Sequence, residues 1–577
     1  MDRISPLPLE VRCMIADACD PRTLPSLSLV AKAFVCPAQR AIFHSVHKTV
    51  EGQADVRVLG RPGAINQYRP SWIQLLLRAL FECPRLAEYV KHVHILVHDN
   101  WRPIPFYDKK KGAPIQSHKR VVPRKFIELG LKLKEEKPFL RRNKTWKKTW
   151  KAALFQGNDE AMLALALSLF DSLTVIDISP ELLYYSQFIS PMFACLSSRT
   201  PSFNHFPGLQ HVSFCIKGTC HYAGELGLAF TKFKIMKHHD IKTLELSAHD
   251  SHMDIMRKDL LHTHPSLTTL RLKFCDLTIS TVGDILDHTP ALKVFECRLL
   301  REYFSSSGQA HNHQSLTLSR LDFGQLATDL EKVASTLEEL TIGVVWSGMG
   351  FYAVEEDPSW FRGIPVYSLK HLELLSHLEI PVEILIGLRP WTGPLLSSVL
   401  PPKLKSLVLV DTLPYPCRNR LEDYSAMPVM NQLAAYLADS PSKLRKVTVN
   451  FYVKLECHYF YNCEHEVRRY IDLDEVRLLA VSLTNRGITL EIGFHWTEYD
   501  EASTLWRGTY SPEMSTEVSN LGLRYTPVIT AGDAEDEDSD DSDDSDDSDD
   551  SEDSEDEDDK KRKGIGEEKQ RVTPESG

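Results

Sequence analysis

One line of sequence recurs along most of this chain: an apolar residue, a second three positions on and a third two further, L-x-x-L-x-L with Val, Ile, Phe or Cys substituting. It stands at Val90/Val93/Ile95, Leu173/Ile176/Ile178, Leu209/Val212/Phe214, Ile241/Leu244/Leu246 and Leu267/Leu270/Leu272. It continues at Leu292/Phe295/Cys297, Leu318/Leu321/Phe323, Leu337/Leu340/Ile342, Leu369/Leu372/Leu374, Leu404/Leu407/Leu409 and Leu444/Val447/Val449. The last two positions of each line are two apart, so both side chains leave a short strand on one face. From Ile241 to Leu318 the lines start 26, 25 and 26 residues apart; most other intervals run to 30–40, and 83 residues separate Val90 from Leu173.

Helix-like segments stand before several lines. Asp259-Leu260-Leu261 leads through Pro265 to Leu267, and Asp284-Ile285-Leu286 leads through Pro290 to Leu292. Leu326, Leu330 and Val333 repeat an apolar helical face before Leu337; Met430, Leu433, Ala434 and Leu437 do so before Leu444. Asp474 to Leu483 reads as a further helix, ahead of a last strand around Leu490 and Ile492. A strand-plus-helix unit of this size buries its apolar face only by stacking on its neighbours. The pattern predicts an α/β chain with a curved parallel sheet. An unrelated α/β fold with buried parallel strands also fits the irregular intervals.

The first fifty residues are patterned differently. Pro8 stands where a helix can begin. Val11, Met14, Ile15 and Ala18 recur at i, i+3, i+4 and i+7, Pro21 breaks that helix, and Thr23 can cap a second through Leu24, Leu27 and Val30. Cys36-Pro37 ends this pattern, and Ala38 to Phe43 give one more short turn. Three short helices cannot bury much core by themselves.

These residues, with Leu29-Val30-Ala31-Lys32-Ala33-Phe34 and Ala41-Ile42-Phe43, resemble the F-box, a helical motif that docks onto the Skp-type adaptor of a cullin ubiquitin ligase. The resemblance implies that Leu7, Pro8, Val11, Ile15, Leu24, Leu27, Val30 and Phe34 contact the adaptor or close the module's small core. The repeated lines resemble leucine-rich repeats. The best copy, L-T-T-L-R-L-K-F-C-D-L from Leu267 to Leu277, carries Cys275 at the family's Asn/Cys turn position. Together they resemble F-box/leucine-rich-repeat proteins, especially divergent fungal ones. That implies a non-catalytic substrate-recognition subunit of a cullin–RING ligase, with a Skp-type adaptor, the cullin complex and a protein target as partners. The layout expected is an F-box-like module at 1–48, a helical linker at 49–160 with a basic insertion at about 109–151, and a repeat solenoid at 161–500. A C-terminal extension at 501–532 and an acidic tail at 533–577 complete it.

Charge is divided sharply. Residues 533–577 hold 23 acidic and 6 basic residues, which leaves 1–532 at +5 once that −17 is taken from the chain's −12. The Ser-Asp-Asp repeat of the tail has almost nothing to bury and repels itself, the signature of disorder. Ser539, Ser542, Ser545, Ser548, Ser551 and Ser554 resemble sites for an acidophilic kinase, and Lys560-Lys561-Arg562-Lys563 resembles a nuclear-import signal read by an importin. A second function also fits the tail: a nuclear scaffold or histone-chaperone-like protein holding basic partners.

Residues 109–151 carry 16 Lys/Arg against 3 acids, with Trp146 and Trp150 at i, i+4. Such a segment can hold phosphate and stack a base, or be a solvated insertion whose tryptophans pack a helix on the body; the second, which leaves nucleic acid out, is the expectation. His92, His94 and His98 share one side of a strand pattern, His238, His239, His249 and His252 cluster in sequence, and Cys457-His458 with Cys463-x-His465 has zinc-type atoms. Their spacing is not that of a zinc site, so neither metal nor cofactor is expected. No phosphate-binding loop, dinucleotide, nucleophile-elbow, zincin or kinase motif occurs. The longest apolar run, Ala161 to Phe170, is too short to span a bilayer. The charged, proline-bearing start is unlike a secretory signal, and the twelve cysteines form no framework. The expectation is reduced thiols in cytoplasm or nucleus.

Overall fold

The apolar lines fold as parallel strands laid side by side in chain order. The computed structural model describes residues 7–50, 71–97, 127–128, 144–179, 182, 188–189, 206–215, 240–247, 264–275, 277–302, 322–347, 368–387, 394–410, 427–439, 443–454, 473–497 and 507–508. All lie in one compact unit, Met1–Pro527; Val528–Gly577 form a second.

Helices α1 (Leu9–Asp17), α2 (Leu24–Val30) and α3 (Val35–His44) lead without a loop into β1 (Ser45–Val50). Helices α4 (Trp72–Glu82) and α5 (Leu86–Tyr89) precede β2 (His92–Val97), and α6 (Lys144–Gln156) and α7 (Asp159–Leu169) precede β3 (Val175–Ile178). Strands β4 (His211–Phe214), β5 (Thr243–Leu246) and β6 (Thr269–Cys275) follow. Helix α8 (Ile279–Leu286) leads to β7 (Val294–Glu302), and α9 (Phe323–Leu330) to β8 (Glu339–Ser347). Next come β9 (His377–Pro381), α10 (Val382–Ile386), α11 (Leu396–Val399), β10 (Ser406–Val410), α12 (Met427–Asp439) and β11 (Lys446–Lys454). Helix α13 (Leu473–Asn485), β12 (Thr489–Thr497) and the two-residue β13 (Arg507–Gly508) end the series. The spatial order is β1 to β13; β1–β12 pair in parallel, and β13 pairs antiparallel to β12. The fold is mixed α/β on a twelve-stranded parallel sheet.

Local chemistry starts the helices. Ser71, Asn158, Thr278 and Asp322 each accept a hydrogen bond from the amide three residues on, at 2.8–3.4 Å, so polar N-caps satisfy the first-turn donors of α4, α7, α8 and α9. Helix α7 holds the apolar run from Ala161 to Leu169, with Phe170 as its C-cap, and it is buried on every side from Ala161 to Ser168. Among the described residues no helix is long and apolar enough to cross a membrane.

Strands β3 to β11 are entered through the same backbone device. The amides of Thr174 and Val175 both donate to the Lys91 carbonyl, at 2.8 and 3.0 Å. The Thr174 carbonyl accepts from Gln210 and His211, and Gln210 O from Lys242 and Thr243. The series then passes through the carbonyls of Lys242, Thr268, Lys293, Glu338, Ser376 and Lys405, each accepting two successive amides of the next rung. It opens with Lys91 N on His44 O and closes with Thr489 N on Arg445 O. Every carbonyl from Lys91 on belongs to the polar residue just after the first apolar residue of a line. Prolines set the approach: Pro207, Pro265 and Pro290 are second residues of turns closed by Leu209 N to Phe206 O, Leu267 N to His264 O and Leu292 N to Thr289 O.

This locks the register. Val93, Ile176, Val212, Leu244, Leu270, Phe295, Leu340, Leu378, Leu407, Val447 and Leu490 fall on one line across the sheet, all buried. The buried thiol of Cys275 donates to Leu246 O at 3.5 Å, where the β6–β7 register shifts, so it serves the turn leaving the strand. The sheet's other face is polar. Arg271 bonds Glu245 at 2.5 Å and reaches Glu296 at 3.5 Å, while Arg298 bonds Glu296 at 2.7 Å and Glu379 at 2.9 Å.

Three expectations are corrected. The line Leu318/Leu321/Phe323 supplies no strand between β7 and β8, which pair directly; Phe323 opens α9 behind its Asp322 cap, and Leu318 and Leu321 lie outside the described residues. At Leu369/Leu372/Leu374 the strand is six residues later, on the adjacent match Leu375/Leu378/Ile380, whose Ser376 enters the carbonyl series; Leu374 is exposed. The boundary at 48 falls inside β1, and the segment after it supplies β2, so residues 45–50 and 92–97 belong to the sheet.

Helices α8 and α9 touch through a polar clasp. The Lys332 ammonium bonds Asp287 at 2.8 Å, Asp329 at 2.9 Å and the Gly283 carbonyl at 3.3 Å. A methyl group at Gly283 would land against the buried Asp329 carboxylate. A helical Gly→Ala change ordinarily stabilises by about 1 kcal/mol. Here Gly283→Ala is expected to lower the melting temperature, and adding Asp329→Ala to recover part of the loss; calorimetry of both checks this. Burial pushes the Cys215 thiol up to about 12, above Lys273's opposing pull. Iodoacetamide at neutral pH is therefore expected to label exposed Cys36 quickly and to spare Cys215 and buried Cys275 until denaturant is added, as peptide mass spectrometry will read.

Candidate docking surface on the N-terminal helices

The three N-terminal helices close a minimal core. Leu24, Phe34, Ala16, Cys13, Pro37 and Ala38 are buried. The Arg12 guanidinium donates to Ala33 O at 2.8 Å, tying α1 to the 3₁₀ turn Lys32–Phe34, and Arg40 meets Asp17 at 3.4 Å. Helix α3 packs on α5 and continues into β1, which fixes the module to the sheet.

Its apolar residues exceed what this core uses. On α1, Val11, Met14 and Ile15 share a face at i, i+3, i+4 and all are exposed, Met14 at 69%; Leu9 ahead of them is at 52%. At the end of α2, Leu29 is 86% and Val30 67% exposed. Exposed apolar side chains gathered on short helices in this way are candidates for an interaction site. Lysine and glutamate snorkelling is not involved, since these side chains carry no polar tip.

The eight residues singled out from sequence therefore divide. Leu24 and Phe34 close the core. Pro8, Val11, Ile15 and Val30 are exposed, and Leu7 and Leu27 are half-buried. Pro8 is the residue before α1. Thr23 makes no cap bond to α2; its hydroxyl donates back to Asp20 O at 2.7 Å. Cys36-Pro37 does not end a helix but lies in the first turn of α3, where a proline loses no hydrogen bond. Leu9 and Leu29, among the most exposed, were missed: Leu9 directly follows the proline read as the helix start, and Leu29 sits off the Leu24–Leu27–Val30 spacing. Met14 was read only as part of a helical face.

The other sequence candidates fare differently. Trp150 is buried, with its indole N–H donating to Ala161 O at 2.9 Å, so it packs α6 on α7 and offers no face for a base. The Trp146 side chain and most of 109–151 lie outside the described residues, as do His98, the 238–252 histidines, the Cys457–His465 group, Ser539 to Ser554 and Lys560 to Lys563. Among the described residues no group of three or more His, Cys, Asp or Glu is placed to hold a metal ion.

The division between core and surface has a measurable consequence. Phe34→Ala is expected to cost about 3–5 kcal/mol of module stability, and Met14→Ala or Leu29→Ala to change it by no more than about 0.5 kcal/mol. Hydrogen exchange of the α1–α3 amides in each variant checks both. Compared with protein-family models and with curated proteins, the chain matches none.

Proposed function

We propose that the chain is the substrate-recognition subunit of a cullin–RING ubiquitin ligase, with an F-box-like module that takes a Skp-type adaptor and a leucine-rich-repeat-type solenoid that takes a protein target. The observation that carries this is the set of exposed apolar side chains, Leu9, Val11, Met14, Ile15, Leu29 and Val30, on helices whose own core is already closed by Leu24 and Phe34. Support for the solenoid comes from a sheet whose spatial order is the chain order, from the proline turns at the entrances of β4, β6 and β7 and from Cys275 at the strand exit. A doubly wound α/β sheet would reverse its strand order at a switch point.

In this reading the chain forms and breaks no bonds. The adaptor holds one end, the target lies on the sheet face or its exit loops, and ubiquitin transfer follows from the raised local concentration of target near an E2 enzyme carried elsewhere in the assembly. The acidic tail and its basic run are the regulatory end, open to an acidophilic kinase and an importin.

The test is capture of purified Skp-type adaptor by the full chain. Met14→Glu/Leu29→Glu places two charges in the apolar surface and is expected to weaken capture by at least about 30-fold, with the circular dichroism spectrum unchanged. Equal capture by the double variant and wild type, or none by wild type, rejects the proposal.

A further inference from the structure

The seam between β1 and β2 is lined on its polar face by imidazoles. His44 ends α3, His47 lies on β1, and His92 and His94 lie on β2, with Ser45 opposite His92 and His47 opposite His94. The His44 and His92 rings stand edge to face at 4.6 Å between centroids. His47 and His94 are 6.0 Å apart, and His92 and His94 6.2 Å. The next strands add Asp177 on β3, 3.4 Å from the His94 ring nitrogen, and His211 on β4, whose charge His92 also feels. Lys91 precedes His92, and its amide bonds the His44 carbonyl at 3.0 Å across the seam.

The position of this cluster gives it leverage. Among the described residues β1 is the first strand of the sheet and pairs with β2 alone. It is also the direct continuation of α3, which carries the helical module. Four imidazoles therefore sit across the joint between the module and the rest of the unit, with the Asp177 carboxylate beside His94. Neutral imidazoles pack there without cost. Protonated imidazoles at these spacings repel, with His92 and His94 partly buried and His44 and His47 exposed, and Asp177 offsets part of the repulsion at His94.

We propose that the β1–β2 seam is a pH-sensitive joint: neutral histidines hold β1, and with it the three-helix module, on the sheet, and mild acid loosens it. The direction follows from His92. Burial first, then the charges of His44, His94 and His211, hold its pKa below the ordinary histidine value. An opened seam takes up the proton more readily than the closed one. The closed form is therefore intact above the ordinary histidine range and is disfavoured as pH falls through it. This inference stands whether or not the module binds a Skp-type adaptor.

The experiment is hydrogen exchange of the full chain from neutral to mildly acidic pH, corrected for intrinsic exchange rates. Protection of the Lys91 amide and of β1 is expected to fall several-fold more than that of β7 and β8. His44→Gln/His92→Gln is expected to abolish the difference. His47→Gln, an exposed edge position, is expected to reduce it while leaving protection at neutral pH unchanged. Equal pH dependence of β1 and β7–β8 in wild type overturns the proposal, as does an unaltered response in both variants. Zinc ion alone at neutral pH is expected to change nothing; saturable protection of β1 by zinc overturns the joint in favour of a metal site.

Discussion

The carbonyl series from His44 to Arg445 is the constraint on which the rest of the sheet depends. Each member accepts amides from the next rung at the point where a strand begins, so each strand starts level with its predecessor. A one-residue slip would turn every buried apolar side chain to the polar face, and the doubled acceptance at one carbonyl leaves no room for it. Because the rung is fixed only at its entrance and its core, the chain leaving each strand is free in length. Loop closure costs grow slowly with loop length. This is why the interval between lines can pass from 25 residues to 83 while the strands remain neighbours in order. Hydroxyls reinforce the device: Thr174, Thr268 and Ser376 each donate a side-chain bond, at 3.1–3.2 Å, to the carbonyl their own amides use.

The two faces of the sheet then do different work. The buried line supplies stability, since removing one such side chain costs about 2–5 kcal/mol. The ion pairs opposite are partly exposed and worth at most about 1 kcal/mol each. Their value is geometric. Arg298 on β7 crosses β8 to reach Glu379 on β9, and it does so above Gly343, whose missing side chain leaves the path open; a Cβ there would stand 3.2 Å from the Arg298 Cγ. Arg271 likewise spans Glu245 and Glu296 on the strands either side of it. The ladder staples β5, β6, β7 and β9 on the solvent side as the carbonyl series staples their entrances. Among the described residues it stops short of the first rungs, where histidines line that face.

Much of the sheet was legible in the sequence because the apolar line carries two periods at once, a three-residue step into the strand and a two-residue alternation along it. Val93, Leu244, Leu270, Leu340 and Leu407 are all buried where that reading puts them. It failed where pattern alone could not choose. L-K-H-L-E-L-L-S-H-L-E-I contains the line twice, each copy with a polar residue after its first leucine, Lys370 and Ser376, and spacing alone does not say which joins the carbonyl series; Ser376 does. Leu318 to Phe323 has the spacing, but Asp322 followed by Phe323 and Gln325 is also a capped helix start, and the cap won. β1 was invisible because Ser45-Val46-His47-Lys48 carries one apolar residue in four; its partner β2 makes it a strand. At the N-terminal surface, the split between Phe34 inside and Leu29 outside depends on how the helices cross, which spacing within one helix does not encode.

The exposed apolar residues of the module raise a question of stability that the architecture answers. A unit of three short helices has too little interior to fold on its own burial, and this one leaves Leu9, Met14, Leu29 and Val30 in water. It is sustained from behind. Helix α3 is anchored along one side by α5, whose Leu86 and Ala87 are buried in the main core, and at its end by β1, whose Val46 packs against that core. Phe43, near the last turn of α3, packs there as well. Stability borrowed through α3 frees α1 and α2 to present side chains outward that an isolated module would have to turn inward. The same dependence makes the short β1–β2 seam decisive, because a module that draws its order from one helix and one edge strand inherits every change in how that strand is held.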